Sequence, residues 1–157
     1  MNKTKQIKLE EILPVIEEVL AAGGEVSFTP NGNSMYPLLH TGRDTITLKK
    51  CDKPLKKYDL PLYRRTNGQF ILHRVVGKNK EGYIMRGDNQ LVKEYGITDK
   101  NVVGIVTSYI RKGEKHSVTD FSYKLYVFLR CNEITVLLRK IKLGIRYIFR
   151  KRQVKQK

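Results

Sequence analysis

Near the start of the chain, apolar residues recur at helical spacing: Leu9, Ile12, Leu13, Ile16, Val19 and Leu20, with Glu10, Glu11, Glu17 and Glu18 interrupting them. The spacing predicts an amphipathic helix. Gly23-Gly24 would stop it, because glycine accepts the left-handed backbone that ends helices. Pro14 costs least if the helix begins just before it, since an interior proline removes a hydrogen bond. From Glu25 the pattern shortens into extended runs at 25–29, 45–49, 60–64, 69–76, 83–86 and 102–110, punctuated by Gly, Asn, Asp and Pro clusters. Asn67-Gly68 between two apolar runs is a hairpin signal. Short strands at this spacing describe a compact antiparallel β domain, so the expected fold class is mainly β (α+β).

From Phe121 the helical period returns. Ile134, Leu137, Leu138, Ile141, Ile145, Ile148 and Phe149 make one stripe, with Arg139, Lys140, Lys142, Arg146 and Arg150 largely off it. Residues 151–157 have no apolar pattern and are expected to fray. The chain therefore divides into an N-terminal amphipathic helix (1–24), a β domain (25–118) and a basic amphipathic helical tail (119–157).

The length, 157 residues, suits one domain with a real core. Charge changes the picture more. The net charge is +16, and residues 111–157 hold fourteen Lys/Arg against Glu114, Asp120 and Glu133. A basic excess implies an anionic partner. A basic helix with an apolar stripe reads either as a membrane-surface helix or as a helix packed on the β domain with its charges solvated. The first of these readings would make an anionic membrane surface a partner, contacted through 121–157. Nucleic acid is disfavoured, because Tyr123, Tyr126 and Phe128 lie among aliphatics and no nucleic-acid motif is present. The glutamates break any secretory signal pattern, and no run approaches the ~18 apolar residues of a membrane span. The expected location is the cytoplasm, at most peripheral on a membrane. Cys51 and Cys131 have no partners at metal-ligand spacing, so neither metal nor cofactor is expected. Two reduced thiols fit a reducing compartment, a single disulfide being the alternative.

Three segments carry candidate chemistry. Gly32-Asn33-Ser34-Met35-Tyr36-Pro37 places a serine in a turn that could present its hydroxyl outward and aim backbone N–H groups at an oxyanion. Phe70-Ile71-Leu72-His73-Arg74-Val75-Val76 places a histidine on the same strand face as Ile71 and Val75, where partial burial would keep it neutral near pH 7. Arg86-Gly87-Asp88-Asn89 places an aspartate in a second turn, able to orient an imidazole; Asp99 is a weaker candidate for that role. A serine hydroxyl needs a base, and the base often needs an orienting group. Taken singly, each residue has an ordinary reading: a turn serine, a hydrogen-bonded core histidine, an aspartate bonding its own turn.

Their order is more specific. Gly-x-Ser-Met-x-Pro, then His-Arg-Val-Val, then Gly-Asp-Asn, then Asn-Val-Val-Gly resembles the signal peptidase I family, in the branch with histidine where the main bacterial branch has lysine. Its β fold is shared with the self-cleaving repressors of the SOS response. The likeness covers about 27–106. It implies Ser34 as nucleophile, His73 as general base and Asp88 as third residue, with the Ser34 N–H in the oxyanion hole and Asn33 and Met35 on its oxyanion and substrate side. The family's usual hydroxyl residue two before the nucleophile is Gly32 here, which leaves the Asn33 amide as the proposed second donor. The family's N-terminal span is replaced by an acidic amphipathic helix.

The resulting expectation is a serine endopeptidase cleaving a precursor or signal/leader peptide through a Ser34–His73 dyad. Two other readings stand beside it. One is a catalytically idle β module held to anionic membrane or nucleic acid by its tail. The other is a self-processing regulator, disfavoured because only one helix precedes the β domain. Ala21-Ala22-Gly23-Gly24 would suit a small-residue cleavage motif, but it is also a common helix end.

Overall fold

The computed structural model describes residues 9–154. Helix α1 spans Leu9–Ala21 and buries Ile16 and Leu20, with Ile12 one turn earlier half-buried on the same stripe. Pro14 lies inside this helix, not at its first turn, and faces solvent. Burial of the opposite stripe outweighs the hydrogen bond that Pro14 cannot make. The helix ends as Gly23 takes φ 81°, and the N–H groups of Gly23 and Gly24 donate back to the Leu20 and Val19 carbonyls. Ala21–Gly24 is thus a helix terminus with its backbone engaged.

The β region forms two antiparallel sheets. The first contains β1 (Val26–Phe28), β2 (Thr45–Lys49), β3 (Pro61–Arg64), β4 (Phe70–Leu72), β8 (Val102–Arg111) and β9 (Glu114–Ser117), in the order β1-β2-β8-β3-β4, with β9 also on β8. The second contains β5 (Arg74–Asn79), β6 (Gly82–Arg86) and β7 (Glu94–Ile97) in that order. β8 is the spine. It pairs with β2 along one edge and with β3 and then β9 along the other. β3 and β4 form the hairpin expected at Asn67-Gly68, with Gly68 at φ 89°.

The run 69–76, expected as one strand, is two strands broken at His73. Leu72 pairs with Leu62 of β3, whereas Arg74 pairs with Arg86 of β6. The switch is made by residues 58 and 59: Tyr58 N–H donates to the Val75 carbonyl, and Val75 N–H to the Asp59 carbonyl. Strands β7 and β9 were not expected, because Glu94–Ile97 and Glu114–Ser117 have neither alternation nor an apolar run.

Alternation along β3 separates two cores. Leu60 and Leu62 join the main core with α1, Met35, Leu38, Leu39, Ile46, Leu48 and Val106. Tyr63 points the other way, into a second core with Val75, Tyr83, Met85 and Ile97. Helix α2 (Phe121–Cys131) closes the main core with Tyr123, Val127 and Cys131, one residue per turn. Helix α3 (Glu133–Val154) continues through residues 151–154, which were expected to fray; 155–157 lie outside the described residues. Both helical flanks contribute to the β domain's core.

Candidate active site

Ser34 sits in a turn closed by the Tyr36 N–H donating to the Asn33 carbonyl and the Leu39 N–H donating to the Met35 carbonyl. Gly32, at φ 104°, leads into it, and its N–H donates to the Thr41 hydroxyl at 2.9 Å. Met35, Leu38 and Leu39 are buried and anchor the turn in the main core, so a half-buried serine is carried on a fixed base. The Gly87–Asn89 turn packs directly beneath. The Asn89 N–H donates to the Ser34 carbonyl at 2.8 Å, and the Asn89 side-chain amide donates to the Asn33 carbonyl at 3.3 Å. Gly87 is required by this approach, since a Cβ there would stand 2.7 Å from the Ser34 carbonyl oxygen.

Ser34 opens on a shallow cleft of about 70 Å³, walled by Gly32, Met35 and His40 on one side and by Phe70, Ile71 and Leu72 on the other. A cleft of that size has room for a small side chain or ordered water. The second wall is β4, an edge strand paired among the described residues with β3 alone, and the chain runs from it straight into His73. Met35 forms part of the cleft; Asn33 is exposed and does not line it. The sequence reading missed His40, whose ring meets that of Tyr36 edge-on at 4.9 Å between centroids. A larger depression of about 420 Å³ lies between α1 and the Lys50–Pro54 turn, lined by neither Ser34 nor His73.

His73 is buried. Burial pushes its pKa down from 6.5 to about 4, with Glu94 and Asp88 pulling weakly upward and Arg65 adding to the fall. It is therefore neutral at pH 7. Its Nδ1 lies 3.2 Å from the Tyr63 hydroxyl, which in turn donates to Glu94 Oε2 at 2.8 Å. Glu94 is clamped by Arg65 through two contacts of 2.6 Å. The hydrogen bond His73 makes among the described residues is this one to Tyr63, not one to Ser34. A nucleophile–base bond often closes only when substrate is bound.

Asp88 does not orient His73. Both its oxygens face Arg74, with Nε to Oδ1 at 2.8 Å and Nη2 to Oδ2 at 2.7 Å. Oδ2 also accepts from the Tyr126 hydroxyl, and Oδ1 from the Cys131 thiol. Arg74 further donates through Nη1 to the Tyr58 carbonyl and the Tyr123 hydroxyl. Burial opposes the Arg74 charge, but Asp88 outweighs it and raises the guanidinium pKa well above its ordinary value. Asp88 thus holds the turn under Ser34 by an ion pair to β5, whose two members are also hydrogen-bonded by Tyr123, Tyr126 and Cys131 of α2. Asp99 is also elsewhere, accepting from the Tyr83 hydroxyl at 2.6 Å. The residues that do meet His73, Tyr63 and Glu94, carried no sequence signal beyond an aromatic in an apolar strand and a glutamate in a polar run.

Both cysteines are free. Cys131 is buried, and burial first, then Asp88, pushes its thiol up to about 12. No cluster of metal-ligating side chains occurs among the described residues. The chain matches no protein-family model, and no curated protein is similar to it at a significant level.

Proposed function

We propose that this protein is a serine endopeptidase of the signal-peptidase type, with Ser34 as nucleophile and His73 as general base. The observation that carries this reading is the cleft itself. A serine on a core-anchored turn lines a cleft whose other wall is an edge strand, and the residue that follows that strand, outside the cleft lining, is a buried, neutral histidine. Among the described residues β4 has one edge unpaired, the arrangement that lets an extended peptide add to a sheet. The cleft beside Ser34 has room for a small side chain before the scissile bond.

In the proposed reaction the Ser34 Oγ attacks the scissile carbonyl carbon as His73 Nε2 takes the hydroxyl proton. The tetrahedral oxyanion is met by the Ser34 N–H. Collapse breaks the C–N bond, and the proton on His73 passes to the leaving amine nitrogen. Water then attacks the acyl-serine ester, giving its proton to His73, and the acid product leaves as Ser34 regains its hydroxyl. A serine-directed fluorophosphonate probe tests this. Wild type should be labelled on Ser34, and Ser34→Ala and His73→Ala should not; equal labelling of all three would overturn the reading.

The substrate would be a peptide or precursor met at an anionic membrane surface. Helix α3 supports this. Beyond Val136 its apolar residues Leu137, Leu138, Ile141, Leu143 and Ile145 are half or more exposed, among lysines and arginines. No helix among the described residues is long and apolar enough to cross a membrane, so contact would be lateral. The full chain should float with phosphatidylserine-containing vesicles and not with neutral ones; a chain ending at residue 132 that floats equally well would exclude this role for α3.

A further inference from the structure

The Tyr63 hydroxyl has one proton and two neighbours that could take it, His73 Nδ1 at 3.2 Å and Glu94 Oε2 at 2.8 Å. Which one receives it decides what His73 can do. Glu94 is a carboxylate: Arg65, by its two hydrogen bonds, holds the acid below the usual range against the opposing effect of burial. A carboxylate only accepts hydrogen bonds, so the Tyr63 proton lies toward Glu94. The phenol is not a proton source to spare either, because burial and then Glu94 raise its pKa. What the Tyr63 oxygen has left to offer Nδ1 is a lone pair.

We infer that Arg65, Glu94 and Tyr63 form a relay that fixes His73 as the Nδ1–H tautomer and leaves the Nε2 lone pair for the Ser34 proton. The relay does what an aspartate does in an acid–base–nucleophile triad, but with a tyrosine interposed and the carboxylate 3.9 Å from Nδ1. It explains how the third position can be filled while Asp88 is fully engaged by Arg74. The three groups come from separate places: Tyr63 from β3, Arg65 just beyond its end, and Glu94 from the first position of β7. Arg65 and Glu94 are only partly buried, at 33% and 23% side-chain exposure, so the outer end of the relay is open to solvent and the inner end is not. These are positioning residues, and the inference rests on the peptidase reading for its use but not for its geometry.

The direct test is nitrogen NMR of the full chain carrying ¹⁵N-histidine, with His73 assigned by the resonances lost in His73→Ala. A protonated, pyrrole-type Nδ1 and a pyridine-type Nε2 are expected at neutral pH. The opposite pattern in wild type overturns the relay. In Glu94→Gln the amide can donate to the Tyr63 oxygen, turning the phenol proton toward Nδ1 and moving His73 to the Nε2–H form. Probe labelling of Ser34 should then slow by about 100-fold or more, with saturation by probe unchanged. Tyr63→Phe should slow it roughly 10- to 100-fold and leave a mixture of tautomers, whereas Glu94→Asp should regain part of the rate. Wild-type rates and an unchanged tautomer in both Glu94→Gln and Tyr63→Phe would also overturn it. If Ser34 is never labelled but His73 is Nδ1–H, the peptidase reading fails and the relay stands; labelled Ser34 with an Nε2–H His73 is the reverse.

Discussion

Replacing Asp88 by asparagine separates two roles that the sequence could not. Arg74 and Asp88 have side-chain exposures of 0% and 1%, and they meet through two hydrogen bonds below 3 Å. Asparagine keeps the shape but removes the charge, and in either orientation its NH2 group faces an arginine N–H, at the Oδ2 position meeting the Tyr126 hydroxyl as well. Removing one member of a buried ion pair costs about 3–5 kcal/mol, because the other charge is left in a medium that solvates it poorly. For a chain of this size each kcal/mol is worth roughly 2–4 °C of Tm, so Asp88→Asn should melt on the order of 10 °C lower. Urea unfolding followed by circular dichroism gives the free energy. The folded fraction, assayed well below its melting point, should label Ser34 within about tenfold of wild type, since no contact joins Asp88 to His73. The paired variant Arg74→Met/Asp88→Leu should recover part of the loss, as neither charge is then alone. An Asp88→Asn protein within about 1 kcal/mol of wild type, yet slowed by a factor of ~10³ or more, would refute the structural role and restore Asp88 as the orienting residue.

Two further outcomes follow from the same geometry. Because the folded state holds His73 at about 4 and the unfolded chain near 6.5, the unfolded state binds the extra proton between those values. Stability is therefore full above pH 6.5 and falls as pH drops toward 4, by about 3 kcal/mol; His73→Gln should flatten that part of a urea-midpoint profile, and an unchanged slope would show that His73 is not buried neutral. Gly87→Ala should cost roughly 1–3 kcal/mol and slow labelling of Ser34, because the new methyl group meets backbone and Cβ of that residue at 2.7 and 3.0 Å; wild-type values in both measurements would show that the two turns are not packed as described.

What the sequence made legible was what depends on local pattern. The helix from Leu9, the hairpin at Asn67-Gly68, the long strand into Ile110 and the serine turn each follow from spacing or from residues that tolerate one backbone shape. What it hid depends on partners. The break at His73 lies inside one largely apolar run, and it shows only in the partners: Leu72 pairs with β3, Arg74 with β6, and residues 58 and 59 bond Val75. Gly-Asp-Asn was legible as a turn near the serine, and it is one, but the aspartate's allegiance was decided by an arginine fourteen residues earlier. Glu94 was invisible because a glutamate in a polar stretch has no period to violate. Its importance comes from β7 folding back onto β6 and bringing it to Tyr63.

The order of strands also has a meaning in time. Ser34 and His73 are both made early as the chain is synthesised, but the strand after Ser34, β2, does not touch the hairpin that leads to His73. β8 stands between them, and it ends at Arg111. A growing chain that has not yet delivered β8 has the turn contacts between Asn89 and Ser34 but lacks the strand that joins β2 to β3. β2 and the β3–β4 hairpin thus become one sheet only once β8 is made, so the frame around the proposed Ser34–His73 pair is completed late in the chain.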